Sequence, residues 1–179
     1  MFTDDVPVKE VRAGVPRKDF VYIKENVLKG PESVWFGEPH KDFRNHPKKS
    51  ALVGNCWTAV AVDATNRPIG VAFYEGGTSK RLPTMLVTSI AVDPRFDAAT
   101  RAAIGSAIIQ SIGTRFQTWS QGKGYITADI QKSATVAQDV LQSHGWRCLQ
   151  TRNDWSTDRF VIFSGSENAQ QEESDQEGR

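Results

Sequence analysis

The sequence predicts an α+β domain built on a mixed sheet. Three observations point there: a pair of strand patterns joined by turn residues between Trp57 and Tyr74, an apolar strand, long amphipathic helix and second strand in succession from Met85 to Ile130, and a short helix followed by a last hairpin. Hairpins interleaved with a strand–helix–strand unit are the order of an α+β fold, not of an all-parallel one. At 179 residues and 39% apolar composition the chain can bury one sizeable core, so a single domain is expected over residues 1 to 163.

The elements follow in order. Residues 5 to 13 alternate as an edge strand, with Pro7 confining them to a margin. Phe20, Ile23, Val27 and Leu28 recur at helical spacing in a first short helix that Gly30-Pro31 ends. From Glu32 to Ser50 the periodicity vanishes, and Trp35, Phe36, His40, Phe43 and His46 interleave with Pro39 and Pro47 in what reads as a long aromatic loop, with room for a short helix. Trp57 to Asp63 and Ile69 to Tyr74 form a hairpin around Ala64 to Pro68, and Gly76-Gly77 is expected to break its second strand. Met85 to Val92 is apolar enough for a strand buried on both faces, and Pro94 stops it.

Asp97 supplies an N-cap for the clearest helix, from Ala98 to about Gln121, with Ile104, Ile108, Ile112, Phe116 and Trp119 at spacings of three and four. Gln121-Gly122-Lys123-Gly124 has the look of a phosphate loop, but it follows a helix and precedes a strand, so it is read as a turn. Tyr125 to Ile130 is the next strand. Val136, Ala137, Val140, Leu141 and His144 mark a short helix that Gly145 closes, and Leu149 to Arg152 with Arg159 to Phe163 make the last hairpin.

Charge is unevenly spread. Residues 164 to 179 hold five acidic residues against one Arg, so the formal +1 of the chain leaves its body at +5. That tail has no apolar residue larger than Ala169 and is expected to be disordered. A basic body suits an anionic ligand, although surface Lys and Arg are also ordinary solubilising residues. Cys56 and Cys148, flanked by apolar residues, read as buried free thiols. With no long apolar run and an acidic start, no membrane is expected and the setting is cytoplasmic. No Gly-x-Ser-x-Gly elbow, Walker motif or His-Glu-x-x-His is present. His40 and His46 sit six apart in a Pro-containing segment, and no metal site is expected.

Ile90-Ala91-Val92-Asp93-Pro94, the capped helix after it, and the Gly145-Trp146 close resemble the GNAT superfamily, the acyl-CoA-dependent N-acetyltransferases, over roughly residues 50 to 163. The resemblance implies a mixed, mostly antiparallel central sheet with flanking helices and acetyl-CoA as cosubstrate. It also implies that the backbone of Ile90, Ala91 and Val92 would pair with the pantetheine arm where two strands splay. The family's pyrophosphate motif falls, without a gap, on Asp97, Thr100 and Ala102; a gapped alignment uses Ala102, Gly105 and Ala107 instead. In the ungapped reading Ala98, Thr100 and Ala102 allow close approach, Asp97 turns away as a cap, and Arg95 and Arg101 are candidates to meet the phosphates or are solvated surface. Counting back from Gly145-Trp146 gives Ala134, Ala137 and Leu141, so the family's Asn is Ala134, with Ser133 beside it, and its general-acid Tyr is Leu141.

For a general base near the split strands the candidates are Glu75, Asp129 and His144, with Tyr125 a replacement for the missing acid. Each base candidate has a structural alternative: Glu75 as a turn residue, Asp129 as a hydrogen-bond partner, His144 as a cap. The resemblance implies acetyl transfer to a primary amine of a small molecule, protein or aminoacyl acceptor, with a homodimer also allowed. The rival is a degenerate GNAT-like module that binds a partner without turnover. Aromatics interleaved with Lys41, Arg44, Lys48 and Lys49 could stack on single-stranded nucleic acid, or form a lid over the acceptor cleft.

Overall fold

The structure, a computed structural model, describes residues 7–53, 55–150 and 156–163. The expected acidic tail and the turn of the last hairpin lie outside them. Among the described residues one sheet runs in the order β1 (Glu10–Ala13), β3 (Cys56–Val62), β4 (Pro68–Ser79), β5 (Leu82–Val92), β6 (Tyr125–Gln131), β8 (Thr157–Phe163) and β7 (Arg147–Gln150). A further strand, β2 (Val34–Phe36), pairs with β5. All pairings are antiparallel except β5 with β6. The parallel pair is the one whose connection holds a long helix, as crossover sterics require. The α+β class with a mixed, mostly antiparallel sheet is as the sequence predicts.

Helices cover both faces. On one, α1 (Phe20–Tyr22) continues a 3-10 turn, Arg17–Asp19, and runs into a π-type turn, Ile23–Val27. With α2 (Pro39–Val53) it buries Ile23, Val27, Leu28 and Phe43 on Val60, Val62, Val71, Phe73 and Ala91. On the other, α3 (Ala98–Ser120) and α4 (Thr135–Ser143) bury Ile104, Ile108, Ile112, Phe116, Ala137 and Leu141 on Ala72, Val87, Ile90, Val92 and Ile126. Alternation along each strand sends neighbours to opposite faces.

Four expectations need correction. The stretch from Glu32 to Ser50 is not a loop: it contains β2 and most of α2. Apolar periodicity failed there because the described first turns of α2 turn polar groups inward beside Phe43, His40 to the Leu28 carbonyl, Asp42 to Ser89 and His46 to Phe73; Pro39 opens the helix at a position where its missing N–H costs nothing. The glycine pair does not end β4, which continues to Ser79. At Gly76 a Cβ would come within 2.5 Å of the Trp57 ring, so glycine is there to admit an indole and not to break the strand. The cysteines are free but not buried: Cys56 is half-buried and Cys148 is exposed on the edge strand β7, while Trp146, just before that strand, is buried. The last hairpin is also shifted, with β7 beginning at Arg147 and β8 at Thr157.

The close seat of Trp57 on Gly76 makes a simple test. Gly76→Ala should lower stability by about 1–3 kcal/mol, the usual cost of overpacking, read as a lower denaturant midpoint with a changed near-ultraviolet Trp signal. An unchanged midpoint would mean that the ring can move aside.

Candidate active site at a forked strand pair

β5 and β6 pair only part-way. Their register runs from Thr84 opposite Tyr125 to Val87 opposite Ala128 and then stops. The divergence starts at Thr88, where the β4 register jumps from Tyr74 opposite Val87 to Phe73 opposite Ser89 and so leaves Thr88 as an extra residue. A bulge of this kind bends one strand away from its neighbour. Beyond it β5 stays paired with β4, up to Gly70 opposite Val92, but its other edge turns away from β6.

The fork is filled. β2 lies in it, with Val34 opposite Ala91 and Phe36 opposite Ile90. Gly37, next along, is held from the β6 side: its N–H donates to Gln131 Oε1 at 3.0 Å and its carbonyl accepts from Gln131 Nε2 at 3.2 Å. Gly37 has φ +75°, and a Cβ there would meet the Thr88 carbonyl at 2.2 Å, so only glycine passes this point. Phe36 is fully buried, and Trp35 sits against Gly105 of α3, where a Cβ would reach within 2.5 Å of its ring. The Ile90 and Ala91 backbone, expected to receive a cofactor arm, is thus engaged by the chain itself.

Beside β2 a cavity of about 190 Å³ opens between the starts of α3 and α4, lined by Val34, Trp35, Ala98, Arg101, Ser133 and Thr135 among others. Its polar groups are mainly donors. Trp35 Nε1 and Arg101 Nε are buried without a hydrogen-bond partner, and Ala134, at the N-cap of α4, offers no side chain to cap its first-turn amides. Arg101 Nη2 donates to the Glu32 carbonyl, tying the turn before β2 to α3. The start of α3 is different, because Asp97 caps it by accepting from the Thr100 N–H at 2.8 Å. That hydrogen bond holds the Asp97 carboxyl below its ordinary range. Ala102 follows one turn later, partly buried. Arg95 is committed elsewhere: its guanidinium meets Asp93 Oδ2 at 2.6 Å and Tyr22 Oη at 3.2 Å, and the nearly fully buried Asp93 raises it above the ordinary arginine value.

The base candidates divide between the faces. Tyr74 packs with the α3 core and Phe73 with the α2 side, so Glu75 falls on the α2 side; Tyr125 and Asp129 alternate with the α3-facing Ile126, Ala128 and Ile130 and lie there too. Asp129 is held by Arg159 of β8 through two hydrogen bonds, 2.8 and 3.0 Å, and the Tyr125 ring packs 5.7 Å from that of Phe163. His144 is at the opposite face, its Nε2 2.6 Å from Ser106 Oγ at the α3–α4 contact. Glu75 instead lines a cavity of about 10 Å³ with Asp42, His46, Cys56, Trp57 and Thr88. Fully buried Ser89, at the fork, donates to Asp42 Oδ2 at 2.6 Å.

No family model matches the chain, and no curated protein matches it by sequence. Solved structures do match it. The spermidine N-acetyltransferase of Vibrio cholerae, solved with CoA and spermine, is 15% identical with a TM-score of 0.60, covering 87% of this chain and 96% of its own. A GNAT superfamily phosphinothricin acetyltransferase of Sinorhizobium meliloti, solved with AcCoA, is 19% identical with a TM-score of 0.60 over 87% of this chain and 88% of its own. A putative GNAT-family acetyltransferase of Desulfovibrio desulfuricans is 14% identical with a TM-score of 0.64 over 86% and 97%. The chain has the GNAT fold.

Of the residues gathered at the fork, sequence reasoning did not pick out Asp42, Ser89 or β2, and it weighed His46 only as an aromatic of the segment and a metal ligand. An Asp and a His four apart after a helix-opening Pro were the available signal for Asp42 and His46. Leu141, at the family's Tyr position, is fully buried in the α3–α4 core. The pairing of Arg95 with Asp93 yields a test of its role. Arg95→Ala leaves a buried carboxylate short of partners and should cost about 1–3 kcal/mol in urea denaturation, with any acetyl-CoA affinity little changed; a large loss of affinity at constant stability would return Arg95 to the phosphates.

Proposed function

We propose that the protein is an acyl-CoA-dependent N-acyltransferase, with acetyl-CoA as acyl donor and a primary amine as acceptor. The observation that carries this is the fork: β5 leaves β6 at Thr88 and turns the edge of Ile90 and Ala91 toward the space between them. An extended arm with amide groups can pair with that edge as a strand does. The donor-rich cavity formed by Arg101, Trp35 and the start of α4 supports a seat for the phosphate end, with Ala98 and Ser133 on its wall. Asp97 is an N-cap and not a phosphate ligand in this reading, and Thr100 is occupied by it. The neighbours solved with CoA, AcCoA and spermine support the same class. A cytoplasmic setting goes with it, and among the described residues no helix is long and apolar enough to cross a membrane.

β2 adds a condition, since the arm and β2 compete for one backbone edge. Acyl-CoA binding then includes release of Val34–Phe36, and the apparent affinity falls by the fraction of molecules in which the fork is open. The same closure, together with the buried Leu141, favours the second reading, a GNAT-fold module that binds a partner without turnover.

Calorimetric titration with acetyl-CoA separates the two. The wild type should bind, and Gln131→Ala, which removes the side chain clasping Gly37, should bind more tightly, by about tenfold for each 1.4 kcal/mol of lost β2 docking. If neither binds, the fork is sealed and the binding-module reading replaces the enzyme.

A further inference from the structure

From the α2 face of the fork we infer that His46 is the proton acceptor for the incoming amine, that Asp42 is its positioning residue, and that the acceptor arrives as an ammonium ion. This rests on the acyltransferase reading. Asp42 and His46 are one turn apart on α2 and face the same side. Asp42 is fixed at the fork by the buried Ser89 hydroxyl, and the His46 ring lies 5.9 Å from that of Phe73. The cavity they share with Glu75 and Thr88 has the volume of a single water, enough to pass a proton without admitting the acceptor itself.

The electrostatics agree with the roles. Partial burial lowers the His46 pKa below its ordinary value, so the imidazole is neutral at pH 7, while the Asp42 carboxylate pulls in the opposite direction and stabilises the imidazolium once formed. Among the described residues the titratable groups around His46 are Asp42 on its own helix, Glu75 and Tyr74 on β4, and Cys56 on β3; β5 contributes Thr88, which does not titrate. Among the described residues that line the cavity two are carboxylates, Asp42 and Glu75, and none is Lys or Arg, a field that draws a cation to this side of the sheet. The proton step balances simply: neutral imidazole and R–NH3+ become imidazolium and R–NH2 through the intervening water, and the imidazolium later returns its proton to solvent. The amine is left with a free lone pair at the fork. His144, bound to Ser106 at the opposite face, takes no part.

The test uses the full chain, acetyl-CoA, and n-butylamine or spermidine as probe amine, with free thiol release followed from pH 5.5 to 9 and acetyl-CoA binding measured in parallel. Wild-type turnover should rise with pH along a limb set by His46. His46→Ala should keep acetyl-CoA binding, lose about 10²–10⁴-fold in kcat, and recover part of it with added imidazole. Removing the carboxylate in Asp42→Asn lowers the His46 pKa, so the limb should move to lower pH. The same shift should appear in NMR titration of the His46 ring in protein without acetyl-CoA, a readout that does not depend on turnover. An unchanged rate and pH profile in His46→Ala overturns the inference, as does an unmoved NMR titration in Asp42→Asn. So does a wild type that binds acetyl-CoA but releases no thiol with either amine. If acetyl-CoA does not bind at all, the acyltransferase reading has failed and the proton relay falls with it.

Discussion

Everything at this site depends on one backbone constraint: the pairing of β5 with β6 ends at Val87, and the β5 edge beyond it still has hydrogen-bonding groups in the interior. Such groups cost about 1–3 kcal/mol each when buried without a partner. β4 satisfies one edge of β5 along its length, and β2 meets the other at Ile90 and Ala91. The bulge at Thr88, the glycine at 37 and the clasp by Gln131 all serve that arrangement. A ligand that displaced β2 would have to replace its pairing nearly bond for bond, because the exchange leaves no room for an unsatisfied edge.

The same constraint organises the two sides of the sheet. On the α3–α4 side, donors gather around the start of α4, where Trp35 and Arg101 line one cavity and each keeps a buried N–H without a partner. On the α2 side, among the described residues, the carboxylates of Asp42 and Glu75 and the His46 imidazole gather beside Ser89. The fork, filled by β2, lies between these two sides. Asp97 and Arg95 show the opposite case, charged residues near the site whose hydrogen-bonding capacity is already used by the fold, Asp97 on the α3 amides and Arg95 on the buried Asp93.

Reading the chain by apolar pattern worked where one face of an element meets a greasy core. The α3 helix, with its Asp97 cap and isoleucines at three-and-four spacing, was legible to within a residue, as were β3, the start of β4 and the strand β6. The pattern failed at α2, whose described first turns set His40, Asp42 and His46 inward beside Phe43, since polar groups placed against polar partners interrupt the apolar stripe to be read. It failed at Gly76 because the purpose of that glycine, admitting Trp57, is a contact between strands. Among the site candidates, Glu75, Arg101, Ala98, Ser133 and His144 line cavities, while Asp129 is taken by Arg159 and His144 also by Ser106, pairings made across 30 and 38 residues of sequence.

The sequence by itself determined the α+β class, the order of the main elements, the cap of α3 and the segment from Ile90 to Pro94 that runs into it, because these rest on local periodicity, turn chemistry and capping within a few residues. Tertiary structure decided what occupies the fork. Val34–Phe36 is only three residues long, too short for a period of two to register, and its place is set by unpaired backbone on a strand more than fifty residues away. Tertiary structure also decided which charged groups are spent on the fold and which remain turned toward a cavity, since that depends on partners brought together by the sheet and not on the residues themselves.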